Sequence, residues 1–512
     1  MCLFDNLWFP PYIGSGLEYA PDRLPQPSST LCLTREWATC TDMDPLRELV
    51  VYSVRKALSA TDNPVSRKEI TVIKKITLTI VLAVLAAAAA CAQVNIKFVE
   101  YDLPNGLHVI LHQDKSVPIV AQVMAYHVGS KNEKPDRTGF AHFFEHLMFE
   151  GSPHIPRGQF FKMIQNAGGE LNAFTSFDKT VYHISLPSNQ IELAMYMESE
   201  RMLQLRVDSA GIETQRGVVK EERKQSLENR PYGSLLEQTF SHAYRVHPYR
   251  WVPIGSAQYI DRATYDEFHQ FYKTFYVPNN ACLVLAGDIE IEKTKELVAK
   301  YYGDIPRGTG EVYRPKVIEP PQIAEVRDTV YDNIQLPAMI EAYHMPGQGT
   351  KDYYALSMLT TLLSGGESSR LNKRLVDKER IAVVIQSIPF DLEDPSVFLV
   401  FGIANFGKSP KELETVVQQE IDRVKKDLIT ESEFTKIRNQ KEAGFIEKNR
   451  TVIGKAMQLA DYHLFFGDTN LINSEIARFM TVTRDDIRRV ANDYLVDKSR
   501  TILYYLPKTK TQ

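Results

Sequence analysis

Two stretches of the chain can be laid over each other without a gap, and that repeat limits the folds available more than any other feature. "TYDEFHQFYKTFYVPNNACLVLAG", from Thr264, runs against "TRDDIRRVANDYLVDKSRTILYYL", from Thr483. Thr264 meets Thr483, Asp266 meets Asp485 and Val277 meets Val496, while Phe268 meets Ile487 and Phe271 meets Val490. Each copy reads as a helix with an N-cap threonine and an acidic first turn, followed by a short strand, Ala281–Ala286 in one and Arg500–Tyr505 in the other. "AYHVG" from Ala125 and "AYHMPG" from Ala342 repeat at nearly the same spacing. The order of elements therefore predicts two copies of one α/β domain, near residues 95–308 and 328–508. The Pro- and Gly-rich stretch "IPRGTGEVYRPKVIEPPQ" opens a linker over 305–327. A chain of 512 residues exceeds one ordinary domain, which agrees.

The first 92 residues have a different character. "VIKKITLTIVLAVLAAAAACAQ", residues 72–93, places Lys74 and Lys75 before an apolar run that ends in small residues. That is the layout of a secretory signal peptide over 72–92, with cleavage after Ala92. Cys91 offers an alternative lipidated N-terminus, although the usual leucine before such a cysteine is missing. A cytoplasmic tail with a membrane anchor is the competing reading, and the run from Ile76 to Ala92 is at the short limit for a span. Residues 1–71 have Pro/Ser-rich patches and no sustained period. They are expected to lie outside the mature protein, with Val72 as the true start. The expected location is exported: periplasmic, or attached to the membrane of a bacterial cell envelope as a lipoprotein. Of the five cysteines only Cys282 lies beyond Ala92, so the mature chain would hold no intramolecular disulfide. A net charge of −4 gives no reason to expect nucleic acid as a partner.

Within the first copy, "HVILHQ" and "VAQVMAYHV" read as strands and "ELNAFTSFDKTVYHISLP" alternates as strands do. "RTGFAHFFEHLMFEG" reads as a helix closed by Gly151. His142 and His146 share one face of that helix at i and i+4, with Cβ atoms about 6 Å apart. Two imidazoles so placed can reach one Zn²⁺ at about 2.0–2.1 Å. Glu145 borders the same face and could hold a water and take its proton. The order is HxxEH, the inverse of the HExxH peptidase motif. Alone the pattern is suggestive, since helix histidines are commonly just hydrogen-bonded to neighbours. A catalytic zinc needs a third protein ligand and an open position. The polar helix "DSAGIETQRGVVKEERKQSLENR" offers Glu221 and Glu222, between which chemistry does not choose. His127 and His183 sit in strand-like runs and read as structural.

"GFAHFFEHLMFEGS", "GGELNAFTSFDKTVY", "RGVVKEERKQSLENRPYG" and "LLSGGESSRLNKRL" together resemble the pitrilysin/insulinase family of zinc peptidases. The similarity is greatest to the short, two-domain branch that includes mitochondrial processing peptidase and bacterial relatives. It covers about residues 95–508. The resemblance implies an α+β fold in which each duplicated domain is a mostly antiparallel sheet flanked by helices, the pair forming half of a peptidase chamber. It implies one Zn²⁺ per chain, with His142, His146 and Glu222 as ligands and Glu145 as general base. It further implies that Asn172 and Ala173 lie on an edge strand that pairs with extended peptide substrate.

Two positions depart from the family pattern. Gln215 stands where many active relatives carry a glutamate behind the metal ligands, so that position can hydrogen-bond but adds no charge. Val376 and Val383 stand where single-chain relatives carry an Arg and a Tyr that contact substrate; Arg374 and Arg380 are nearby. Four domains make an active chamber in the family, and this chain supplies two. The expected partner is a second subunit of the same fold bearing the Arg and Tyr, with a homodimer using Arg374 or Arg380 as the runner-up. The competing function is a structural or peptide-binding subunit without catalysis, as some relatives in respiratory complexes are.

Overall fold

A computed structural model describes residues 95–508. The expected signal peptide at 72–92, its cleavage or lipidation site, and the segment 1–71 lie outside the described residues. Two sheets carry the fold. The first comprises β1 (Val99–Asp102), β2 (His108–Gln113), β3 (Ile119–Tyr126), β4 (Glu170–Thr175), β5 (Thr180–Pro187) and β6 (Ala281–Gly287), in the order β1-β2-β6-β3-β5-β4. The second comprises β7 (Val326–Asp332), β8 (Ala338–Met345), β9 (Ala382–Pro389), β10 (Ser396–Ala404) and β11 (Arg500–Pro507), in the order β7-β11-β8-β10-β9. β2 runs parallel to β6 and β7 parallel to β11; the remaining pairs are antiparallel. Apart from β1, the second sheet repeats the first strand for strand, so the duplicated α+β fold is present. β4 and β9 are matching edge strands.

Six helices position the polar groups and lock the two copies together. In the first copy they are α1 (Phe140–Leu147), α2 (Ser209–Arg223) and α3 (Leu235–Ala243). In the second they are α4 (Lys351–Ser364), α5 (Glu431–Lys448) and α6 (Val452–Phe466). β6 and β10 are buried along their whole length, which requires cover on both faces of each sheet. One face is covered by helices of its own copy. The other is covered by a helix of the opposite copy. α6 lays Ala456, Leu459, Ala460 and Tyr462 over Val123, Val181, Cys282 and Val284 of the first sheet. α3 brings Leu235 to Ile340, Leu399, Leu503 and Tyr505 of the second. The boundary drawn through the linker therefore divides the sequence but not the packing. The linker itself is pinned: Glu319 accepts the backbone N–H groups of Arg245, Val246 and His247, and Gln322 donates to the Arg500 carbonyl.

Both capping threonines act as expected. Thr264 and Thr483 each accept from the backbone N–H three residues on, and Glu267 and Asp486 reach back to complete capping boxes. One helix end differs from expectation. α1 stops at Leu147, and Gly151 lies in the loop beyond it. Gly151 has φ of 98°, and a Cβ there would meet the Ile155 carbonyl oxygen at 2.4 Å, so the glycine serves that tight loop rather than the helix terminus.

Candidate metal centre

α1 is a short helix sunk in aromatic side chains. Phe140 stacks on Phe268 at a ring-centroid distance of 4.8 Å, Phe143 lies tilted against the same ring at 4.6 Å, and Phe144 stacks on Phe271 at 5.2 Å. Its N-cap residue, Gly139, has no side chain to cap with. The buried Glu133 carboxylate does it instead, accepting from Gly139 N at 2.9 Å and Ala141 N at 2.8 Å. The helix is thereby fixed at its start and along one side, and its two histidines face α2.

His142 and His146 lie with ring centroids 4.9 Å apart. α2 opens on Asp208, which accepts from Gly211 N at 2.7 Å, and carries Glu222 to the two rings. Glu222 Oε1 is 3.7 Å from His142 Nε2, and Oε2 is 3.2 Å from His146 Nε2. The three donor atoms fall within 4.8 Å of one another. Ligands of one tetrahedral zinc, each at about 2.0–2.1 Å, lie about 3.4 Å apart, so this donor set fits such an ion. Burial pushes the His142 imidazole down from its ordinary range, favouring the neutral form that ligates metals. Glu221 points away and accepts from Gln225 Nε2 at 3.0 Å.

Glu145 is 5% exposed, and the Thr175 hydroxyl donates to its Oε2 at 2.7 Å. Thr175 closes the "LNAFT" strand, but nothing in its spacing marked it. Asn172 is exposed on β4 and accepts from its neighbour's backbone, Ala173 N, at 2.9 Å; Ala173 is buried. Both do lie on an edge strand. Gln215 donates to Glu150 Oε1 at 2.6 Å, in the turn beyond α1. Glu150 in turn pairs with Arg157.

The centre opens into a cavity of about 710 Å³. His142, Thr175 and Glu222 line one side; Gln386 and Pro389 of β9 and Tyr462 of α6 line the other. Both copies thus wall the space. Val376 packs against the second core, and Val383 is 47% exposed on β9. Arg374 is held by Glu379 at 2.7 Å and Glu420 at 2.8 Å. Neither it nor Arg380 is among the described residues lining the cavity. His127 pairs with Glu393 at 3.0 Å, and burial brings His183 down to about 4, both as structural residues.

Two family profiles match the chain. The one described as "Insulinase (Peptidase family M16)" covers residues 108–251, and "Peptidase M16 inactive domain" covers 262–441. "Zinc protease PqqE" of Helicobacter pylori is 31% identical over 444 residues, 86% of this chain and all of the relative. The chain belongs to peptidase family M16. A crystal structure of a protease from Helicobacter pylori superposes with a TM-score of 0.78 at 31% identity, covering 81% of this chain and 100% of that one. A probable mitochondrial-processing peptidase subunit beta of Arabidopsis thaliana is 24% identical, covering 78% of this chain and 76% of the relative. The M16 profiles divide as the chemistry does: the stretch with His142, Glu145, His146 and Glu222 falls in the first, and the second covers most of β7 to α5.

Proposed function

We propose that this M16 protein is a zinc-dependent endopeptidase acting on peptides or unfolded protein segments. The observation that carries the reading is the Glu222 carboxylate set between the Nε2 atoms of His142 and His146, with Glu145 one turn away. His142, His146 and Glu222 would hold the ion, which when bound supplies Lewis acidity toward the scissile carbonyl. Glu145 accepts the proton of the attacking water and returns it to the leaving amine. The Thr175 hydrogen bond occupies Glu145 Oε2 and leaves Oε1 for that water. Asn172 and Ala173 on β4 hold the peptide extended beside the ion by strand addition, which supplies orientation. Gln215 supports the centre from behind the ligands through its hydrogen bond to Glu150. The test is Glu145→Gln: zinc stays at one per chain in this centre while peptide turnover falls by about 10²–10⁴. Unchanged turnover would remove Glu145 from the role.

The same reading includes a partner. Val376 and Val383 supply no Arg or Tyr, and Arg374 is engaged by two glutamates. A donor for the developing oxyanion is then to come from a second subunit of this fold, and absence of one such donor costs about 10²–10³ in rate. The purified chain alone should cleave poorly and gain that factor on mixing with such a subunit. Full activity from a homogeneous homodimer would overturn the two-subunit arrangement. We place the protein outside the cytoplasm, with Gln93 or a lipidated Cys91 as its first residue; intact mass of the native protein decides between them, and a mass that begins at Met1 removes both.

A further inference from the structure

A second cluster of ligating side chains lies away from the cavity, where the first sheet meets α6. β1 and β2 pair antiparallel with Asp102 opposite His108, which puts Glu100, Asp102 and His108 on one face. That face is the one α6 covers, and α6 sets His463 on the His108 ring with centroids 3.5 Å apart and planes 6° from parallel. Donor atoms of Glu100, His108 and His463 all fall within 4.8 Å of one another.

The hydrogen bonds around His108 are informative. Asp102 Oδ1 lies 2.8 Å from Nδ1, so the proton of a neutral ring sits on Nδ1 and is donated to Asp102. Nε2 then carries a lone pair, and it is buried without a hydrogen-bond partner. Facing it at 3.4 Å is the Glu100 carboxylate Oε2. A lone pair opposed to a carboxylate is repulsive unless something positive lies between them. A proton or a divalent cation between them relieves it, and zinc stoichiometry separates the two. The ring nitrogens of His463 make no hydrogen bond with any described residue. Glu100 is steadied by the Thr469 hydroxyl, which donates to Oε2 at 2.5 Å. A carboxylate-oriented histidine whose other nitrogen is open, a second histidine and a second carboxylate form the usual surroundings of a divalent transition-metal ion.

We infer that Glu100, His108 and His463 form a second metal site, oriented by Asp102, for a borderline-soft divalent cation such as Zn²⁺. Two nitrogens and one oxygen suit that class rather than Ca²⁺ or Mg²⁺. The rings must tilt apart for both lone pairs to point at one ion. Because His463 comes from the second copy and the other ligands from the first, the ion would fasten α6 to the sheet it covers. Tyr462, the neighbour of His463, lines the cavity, so the site is a clasp behind the cavity wall.

The experiment is zinc stoichiometry on the full chain, by elemental analysis after equilibration with micromolar Zn²⁺ and gel filtration. Two ions per chain are expected in the native protein. His146→Ala, His463→Ala and Glu100→Ala should each retain one, and His146→Ala with His463→Ala none. In the His146→Ala background, added Zn²⁺ should raise Tm, and it should not once His463→Ala is introduced. Should the first centre fail to bind zinc, native protein would hold one ion that His463→Ala removes and His146→Ala spares, which still supports this site. One ion in native protein that His146→Ala removes would overturn it. So would an extra ion that gel filtration strips, or one that survives both His463→Ala and Glu100→Ala.

Discussion

α1 follows β3 as α4 follows β8, and α2 crosses α1 as α5 crosses α4, yet the two helix pairs do different work. On the ungapped register that sets Ala125 against Ala342, His142 falls on Leu359, Glu145 on Leu362 and His146 on Leu363. All three leucines are buried in the second core. The link between helices also changes sign. Glu222 reaches from α2 to two histidines, whereas Lys441 reaches from α5 to donate to Ser357 Oγ at 2.8 Å. Burial brings that lysine down to about 8, and an ammonium there is incompatible with a divalent cation. The shared scaffold thus carries polar groups that cost stability in one copy and packed leucines at the matching positions in the other.

The strongest test of that contrast is a matched pair. His146→Ala should lose the ion of its centre and with it measurable turnover, with little change in the fold. Leu363→Ala should leave zinc content as it was and cost about 2–5 kcal/mol in stability. Elemental analysis and denaturant titration on both variants check it. Zinc lost from Leu363→Ala with the fold intact would mean that the second copy shares in the metal chemistry.

A narrower contrast lies within α2. Glu222→Gln removes a candidate ligand, and zinc affinity should fall by more than the about 10–100-fold typical of residues that only orient ligands. Glu221→Gln touches a side chain whose contact is Gln225, and affinity should hold within about twofold of native. A competitive zinc titration reads both. The reverse ranking would shift the ligand by one residue.

The helix pattern, the repeat and the strand runs were legible because they depend on local spacing. The Thr264 and Thr483 caps, β6 and β11, and the helix bearing HxxEH all follow from it. Three features were not legible. The exchange of α3 and α6 between sheets leaves no local mark, since an apolar helix face reads the same whichever sheet it covers. Thr175 donates to Glu145 across thirty residues of chain, and a lone threonine in a strand has no signature. The Gln215 contact with Glu150 joins α2 to the turn beyond α1, and no spacing in the sequence marks it. That Glu222 rather than Glu221 lies beside the two imidazoles depends on the rotation of one helix, which no composition encodes.

The exchanged helices give the next comparison. Leu459→Ala in α6 opens a cavity against the first sheet and should cost about 2–5 kcal/mol. Leu235→Ala in α3, which is 9% exposed, should fall at the low end of that range. Because each helix covers the opposite sheet, both variants should unfold in one transition spanning both copies; two separated transitions would show the copies to be independent. Acid should weaken the same interlock. Glu393 of the second copy meets Lys131 and His127 of the first, and although burial opposes it, the hydrogen bonds and electrostatics of these two partners bring its carboxyl down to about 2. A carboxylate with a lowered folded value contributes stability above its unfolded value, near 4.5, and loses it as pH falls toward 2. Glu393→Gln should therefore flatten the stability curve between about pH 5 and 2. An unchanged slope would show that this contact carries none of the acid sensitivity.

The smallest effect comes where the copies are most alike. Thr264 and Thr483 each cap a helix that leads into a central strand, and both boxes are complete. Removing either hydroxyl leaves one helix N–H without its acceptor at an exposed end, where water replaces part of the bond. Each Thr→Ala change should cost about 1 kcal/mol. The geometry ranks them: Asp486 N lies 3.0 Å from the Thr483 hydroxyl oxygen, and Glu267 N lies 3.3 Å from that of Thr264. Glu267 also keeps Arg137 as a partner at 2.8 Å, which holds its carboxylate near the helix start after Thr264 is cut back. Asp486 has Lys351 at 3.2 Å, a side chain 73% exposed, and Arg489 at 3.6 Å, which is shared with Asp352 and Asp493. Thr483→Ala should accordingly be the costlier by a few tenths of a kcal/mol, and neither change should alter zinc content or turnover. Equilibrium unfolding of the two single variants measures the difference. A Thr264→Ala cost well above that of Thr483→Ala would mean that the cap in the first copy also supports the aromatic contacts between its helix and α1, and that the two copies differ even where their sequences agree.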